Sequence, residues 1–261
     1  MADSILLHVQ ERVAFITFNR PERLNAIDLG MARAFREAID GLAARDDVRA
    51  VVLRGAGAAF IAGGDITLFS GDRDQAAATI AELIDHFHAA TVGLQRLPAP
   101  VIASVHGAAA GGGFSLALAA DFRIAADSAT FTPAYLRLGT SPDGGGTFFL
   151  PRLVGMARAT SLAMLADRLP AQRALEWGMI YDVVPSGVLL DTATDLARQL
   201  ATQPTRGLGL IKRALNASWE NDLARQLALE AELQREAGRT ADYLEGVRAF
   251  QQKRKPGFVG R

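Results

Sequence analysis

Asp143 stands in the run Ser141 to Thr147, SPDGGGT, where one carboxylate precedes three consecutive glycines. Such a group can do one of two things. It can build a turn, because Asp accepts a backbone hydrogen bond and the following Gly takes positive φ without steric cost. It can also carry a proton to and from a carbon atom, which is general acid–base chemistry. Taken alone, the stretch reads more simply as a turn.

Two further glycine clusters bear on that choice, FIAGGDI at 60–66 and HGAAAGGGFSLALAAD at 106–121. Each follows a run with strand character, and the second opens an apolar helix, so its backbone N–H groups sit at the positive end of that helix. Two such loops can aim two backbone donors at one oxygen. That is an oxyanion hole, from which removing one donor typically costs about 2.7–4 kcal/mol of transition-state stabilisation. The alternative is that the glycines only let strand and helix pack closely. A third stretch, GAGAAF at 55–60, follows the run Val51 to Arg54 in the manner of a dinucleotide-binding loop. Phe60 takes the third glycine position and Gly63 and Gly64 interrupt the helix that would receive a pyrophosphate, which argues against a Rossmann site.

The elements that must position these loops alternate along the chain. Ile5 to Val9 and Val13 to Phe18 read as a hairpin around Gln10, Glu11 and Arg12. Asp28 can cap a helix whose Met31, Phe35, Ile39 and Leu42 share a face. Val48 to Leu53 reads as a buried strand, Ile80 to Leu94 as an amphipathic helix and Val101 to Val105 as another strand. This alternation predicts an α/β core with crossover connections. Beyond about residue 150 strand character fades except at Met179 to Val184. Helical patterns take over at Ala171 to Trp177, Leu189 to Ala201, Thr205 to Ser218 and, as one long pattern, Asn221 to about Phe250. A boundary near residue 200 divides a core, 1–200, from a helical region, 201–261.

With 261 residues and 49% hydrophobic content the chain can bury a large core. Lys plus Arg and Asp plus Glu both number 28, so no net field draws it to nucleic acid or an anionic membrane. There are no cysteines, which excludes thiol nucleophiles and thiolate metal sites and suits a cytoplasmic location. The first fifteen residues show no signal-peptide pattern. Leu97 to Ala120 is long enough to span a bilayer, but its two prolines, four glycines and His106 favour strand, loop and helix. His86 and His88, two apart on a helix, face different ways, which argues against a metal pair; His106 reads as a core histidine.

NRPERLNAI (19–27), FIAGGDI, GAAAGGGFSLALAADFRIA (107–125), LGTSPDGGGTFFLPRLVG (138–155) and the tail QQKRKPGFVGR (251–261) together resemble the enoyl-CoA hydratase/isomerase, or crotonase, superfamily. The segments come in that family's order and span nearly the whole chain. The resemblance implies a crotonase-like spiral of ββα units with a C-terminal helical region that builds trimers or hexamers and completes the CoA site. It implies a coenzyme A thioester as substrate, with no separate cofactor and no metal. By position, Gly64 and Gly112 match the residues whose N–H groups hold the thioester oxygen, and Ala26, Ala62 and Ile66 match positions lining the CoA site. Lys253 and Lys255, flanking Arg254, suit a CoA phosphate; a solvated tail is the alternative.

The family's hydratases use two glutamates, and at the corresponding positions stand Ser115 and Tyr135. Asp143 falls where some of its isomerases carry an aspartate. One carboxylate is sufficient for a 1,3-proton shift, so the expectation becomes enoyl-CoA isomerisation with Asp143 as acid/base. Tyr135 can donate a hydrogen bond or shape the acyl pocket with Phe148 and Phe149; packing is the reading adopted for all three. Ser115 reads as a capping or packing residue. The alternatives are a hydratase with unusual catalytic groups, a thioester hydrolase, and a non-catalytic acyl-CoA-binding scaffold. Pocket width is expected to depend on Leu68 to Asp74.

Overall fold

The structure is a computed structural model that describes residues 3–69 and 72–261. Ser70 and Gly71, within the stretch expected to set pocket width, lie outside the described residues.

β1 (Ile5–Gln10) and β2 (Val13–Phe18) form an antiparallel hairpin. Its turn is Glu11 and Arg12, with φ of 50° and 66°. Two central residues at positive φ match the right-handed twist of the flanking strands, so Gln10 pairs with Val13 instead of joining the turn. α1 (Leu29–Ala43) begins where the Asp28 carboxylate accepts the Met31 N–H at 2.7 Å, and it buries Met31, Phe35, Ile39 and Leu42. β3 (Ala50–Gly55) starts two residues later than the hydrophobic run suggests; Val48 is buried ahead of it. α2 (Arg73–Arg96), β4 (Val101–Val105), β5 (Ala108–Ala110) and α3 (Gly112–Ala119) come next, and the uncharged stretch 97–120 is thus strand, loop and helix. Among the described residues no helix is long and apolar enough to cross a membrane. β6 (Phe122–Ala126), β7 (Thr130–Thr132), α4 (Gly146–Val154), α5 (Met156–Leu165), β8 (Leu169–Pro170), α6 (Ala171–Glu176) and β9 (Asp182–Val184) complete the strands. The helices α7 (Leu189–Ala201), α8 (Thr205–Ala217), α9 (Leu223–Ala237) and α10 (Ala241–Gln251) close the chain.

The larger sheet runs β1-β2-β3-β4-β6-β9, parallel from β2 onward, with Phe15 opposite Val52 and Val52 opposite Ile102. A second sheet, β5-β7-β8, lies beyond it, and strands from the two sheets alternate with helices as the chain winds. α3 is buried at all eight positions. Its start seats against the loop after β3: a side chain at Gly113 would meet the Ile61 carbonyl oxygen at 2.3 Å. At its other end the buried Arg123 guanidinium donates to the carbonyls of Leu118 (3.2 Å), Ala120 and Met179 (2.7 Å).

The single helix expected from 221 to 250 is two. Gly238 to Thr240 break it, and the Thr240 hydroxyl caps α10 by accepting the Tyr243 N–H at 3.1 Å. α8 is tied to the core by buried Lys212, which donates to Leu94 O at 2.8 Å and pairs with Asp121 at 2.7 Å. The tail folds back between two buried ions. Arg49 donates to Phe258 O at 2.9 Å, and Asp242 accepts the N–H groups of Val259 (2.6 Å) and Gly260 (2.8 Å).

The 19–28 segment is held by Asn25, which has no exposed surface and φ of 57°. Its side chain accepts the Arg20 N–H at 2.9 Å and donates to the carbonyls of Ala56 and Ala59 (both 2.8 Å) and Phe60 (3.1 Å). Gly55 closes over it, since a Cβ there would lie 2.7 Å from the Asn25 amide nitrogen. The GAGAAF stretch is therefore a packed corner around Asn25, and no helix receives it. Replacing Asn25 with Ala strands these buried groups, each costing roughly 1–3 kcal/mol. Urea denaturation of Asn25→Ala should show a loss of about 2–4 kcal/mol.

Candidate active site

The two glycine loops meet. A Cβ built on Gly111 would lie 3.4 Å from Gly63 Cα. Ile27 bridges to Gly64 in parallel fashion, using the carbonyl of Gly63 (2.8 Å) and the N–H of Asp65 (2.8 Å). That pattern leaves the Gly64 N–H turned away from Ile27. Gly112 is the first residue of α3, so its N–H has no intrahelical acceptor and lies at the helix's positive end. The structure thus places Gly64 and Gly112 one residue beyond the point where the loops touch.

Arg20 fastens this corner. Its guanidinium donates to Ala26 O at 2.7 Å and pairs with Asp28 and Asp65, both at 3.0 Å. Asp65 is held below the ordinary carboxylate range, chiefly by the Thr67 hydroxyl at 2.6 Å and also by Arg20.

Asp143 lies between β7 and α4, half-buried, in a loop gripped by three helices. Gly144 and Gly145 take φ of 58° and 85°. A Cβ at Gly144 would meet the Phe87 ring of α2 at 2.6 Å, one at Gly146 the Ser115 hydroxyl of α3 at 2.6 Å, and one at Gly145 the Phe149 ring of α4 at 2.6 Å. All three glycines are thus favoured by contact, and Gly144 and Gly145 by turn geometry as well. Asp143 does close a turn, since its carbonyl accepts the Gly146 N–H at 3.0 Å. Its carboxylate does something else: Oδ1 accepts the Tyr135 hydroxyl at 2.6 Å, and that hydroxyl also pairs with Ser115 Oγ at 2.9 Å.

This corrects two readings. Tyr135 is not merely a packing residue, and the Ser115 hydroxyl is neither a cap nor idle. The three groups form one hydrogen-bonded row. Burial drives the Tyr135 phenol above its ordinary range, and the neighbouring Asp143 charge adds to this, so it remains a neutral donor. Burial also raises the Asp143 carboxyl, with the Tyr135 hydrogen bond pulling the other way. Phe149 does pack, against Gly145, whereas Phe148 is 39% exposed and lies under the Arg152 guanidinium at 3.6 Å.

Of the expected CoA-lining residues, Ala26 donates its N–H to Arg23 O at 3.0 Å and gives its carbonyl to Arg20; the Ala62 N–H goes to Leu24 O at 3.0 Å. Only carbonyl lone pairs remain at these two for a ligand's donor. Ile66 is 60% exposed at the start of a 3-10 turn beside Gly64. Lys253 follows α10 at φ 52°, its N–H donating to Phe250 O at 3.1 Å. Lys255 lines a cavity with Arg12, Arg49 and Phe258, at the end of the sheet where β3 begins, while Gly64 follows the end where β3 stops. His106 is half-buried with Nε2 3.0 Å from Gly57 O, and burial lowers its pKa. His88, set aside in the sequence, is the residue the pattern missed: its Nε2 accepts the Gly144 N–H at 3.0 Å. A groove of about 1300 Å³ is lined by His88, Gly144 and Phe149 among others.

A winding of ββα units with two glycine loops meeting at a helix start defines the crotonase class of fold. The chain belongs to the enoyl-CoA hydratase/isomerase family, whose sequence model matches residues 8–261. It is 48% identical over 262 residues, and the full length of both chains, to the 1,2-epoxyphenylacetyl-CoA isomerase of Escherichia coli. It is 41% identical, over 99% of this chain and 98% of the other, to the "Probable enoyl-CoA hydratase" of Rhodobacter capsulatus. The crystal structure of an enoyl-CoA hydratase from Polaromonas sp. JS666 superposes with a TM-score of 0.92 at 36% identity, covering 97% and 99% of the two chains.

The Asp143 environment is testable by itself. A carboxyl ¹³C titration should place Asp143 above the model-peptide value of about 3.9. In Tyr135→Phe the lost donor no longer favours the ionised form, so the midpoint should move higher still; a midpoint that falls or stays would contradict the hydrogen bond's role.

Proposed function

We propose that the protein isomerises an enoyl-CoA by a single-carboxylate proton shuttle. The observation that carries this reading is the Tyr135–Asp143 hydrogen bond at 2.6 Å. It occupies one carboxylate oxygen and leaves the other to act. The Asp143 carboxylate takes a proton from C2 of a 3-enoyl thioester, and the electron pair moves into the thioester carbonyl. The N–H groups of Gly64 and Gly112 receive the resulting oxyanion. Asp143, now protonated, returns the same proton to C4, leaving the double bond between C2 and C3. No net proton or electron is exchanged with solvent.

Two further features support the reading. Ser115 and Tyr135, at the positions of the hydratase glutamates, spend their hydroxyls on each other and on Asp143, so neither is a base for water. The relative sharing 48% identity is named an isomerase, which adds an aryl epoxide thioester to the substrates worth testing. Hydration is the second reading, favoured by the hydratase name of the 41% relative. Association into trimers or hexamers belongs to this proposal too. Trp219, Leu223 and Phe250 on and beside the C-terminal helices are 61%, 74% and 86% exposed and suit contact with further copies.

Proton NMR in deuterated water, with 3-enoyl-, 2-enoyl- and 1,2-epoxyphenylacetyl-CoA, separates the readings. Migration of the double bond or opening of the epoxide without hydration is expected; a 3-hydroxyacyl product would sink the isomerase assignment. Because the ionised form of Asp143 is the base, activity should fall as pH drops through its raised pKa. Asp143→Asn should lose about 10²- to 10⁴-fold in kcat, the usual worth of a positioned acid/base, while thioester binding by calorimetry stays close to wild type.

A further inference from the structure

We propose that His88 is a positioning residue that fixes the direction of the Asp143 carboxylate, an inference resting on the acid–base reading of Asp143. The peptide unit joining Asp143 to Gly144 is held at both ends. Its carbonyl oxygen accepts the Gly146 N–H at 3.0 Å, and its N–H donates to His88 Nε2 at 3.0 Å. Fixing that plane fixes ψ of Asp143, and with it the root from which the carboxylate projects. Tyr135 then holds the other end of the side chain.

The clamp at His88 is needed because two glycines succeed Asp143 in the turn. A peptide plane in a turn can flip by compensating changes in ψ of one residue and φ of the next. Where the next residue is glycine, the flip meets little steric resistance. Gly144 at φ 58° is such a residue, with Gly145 at 85° behind it. Flipping would turn the N–H away from α2 and break the His88 bond. Phe87, the neighbouring residue on α2, presses on Gly144 from the same helix, so α2 grips this peptide by one apolar and one polar contact. His88 is itself exposed and is not part of the buried core.

The bond also dictates a tautomer. To accept from Gly144, Nε2 must be unprotonated, so the neutral ring carries its hydrogen on Nδ1. Long-range proton–nitrogen spectra of ¹⁵N-histidine-labelled protein should show this Nδ1–H form for His88. An Nε2–H form would overturn the proposal whatever reaction the enzyme performs.

Kinetics of two variants complete the test. His88→Leu removes the acceptor, and misplacing a reacting group by about 1 Å can cost about 10²-fold. The kcat should therefore fall about 10- to 100-fold, with KM within about threefold of wild type, the pattern of an interaction that matters in the transition state. His88→Gln offers an amide oxygen at similar reach and should recover most of the loss. A leucine variant with wild-type kcat, or a glutamine variant as impaired as the leucine one, would overturn the proposal. Should the wild type hydrate instead of isomerise, the function proposed above fails, and the same ratios are read on hydration.

Discussion

The corner that carries Gly64 depends on one buried cross-connection, the Asn25 and Arg20 knot that ties the 19–28 segment to the loop after β3. Asn25 satisfies three backbone carbonyls of that loop from a position with no contact with water. Arg20 reaches past it to Asp28 and Asp65, so the cap of α1 and the residue next to Gly64 share one cation. A half-buried Arg between two carboxylates adds little stability by itself, since desolvation offsets much of the attraction. Its effect is geometric: three chain segments that would otherwise move separately keep a common register, and Gly64 keeps its distance from Gly112.

Asp143, the proposed acid/base group, is set by a different logic. No cation pairs with Asp143 among the described residues, and its side-chain partner is a neutral phenol. A neutral donor orients a carboxylate without suppressing its basicity as strongly as an Arg or Lys would. Burial acts in the opposite sense and makes the group a better proton acceptor. Asp65, held low by the Thr67 hydroxyl and Arg20, is tuned in the opposite direction.

Most of the scaffold was legible because it is periodic. Met31, Phe35, Ile39 and Leu42 announced α1, and Leu189 to Ala201 emerged with both ends in place. Much of what escaped was short or aperiodic, although β6, α4 and α5 escaped too. β5, β7 and β8 have two or three residues each, too few for alternation to register. The break at Gly238 to Thr240 was hidden because apolar spacing continues on either side of it. Asp143 and its glycines stood out by composition, but the Tyr135 partner lies eight residues back through irregular chain and His88 fifty-six residues back from Gly144 on another helix. No local pattern links them. Likewise the basic tail suggested an anion, while its place in this chain is fixed by Arg49 and Asp242 holding backbone groups at the far end of the sheet.

The short helix α3 carries a further consequence. With eight residues at about 1.5 Å each, its two ends are only about 12 Å apart, so the opposite partial charges at those ends largely cancel at points farther away than the helix is long. Arg123 changes that. Its pKa is lowered by burial only to about 10, so it is charged at neutral pH, and it sits on the carbonyls of Leu118 and Ala120. It offsets the negative pole. A buried residue at the far end of α3 thereby bears on the long-range potential of the helix whose first residue is Gly112.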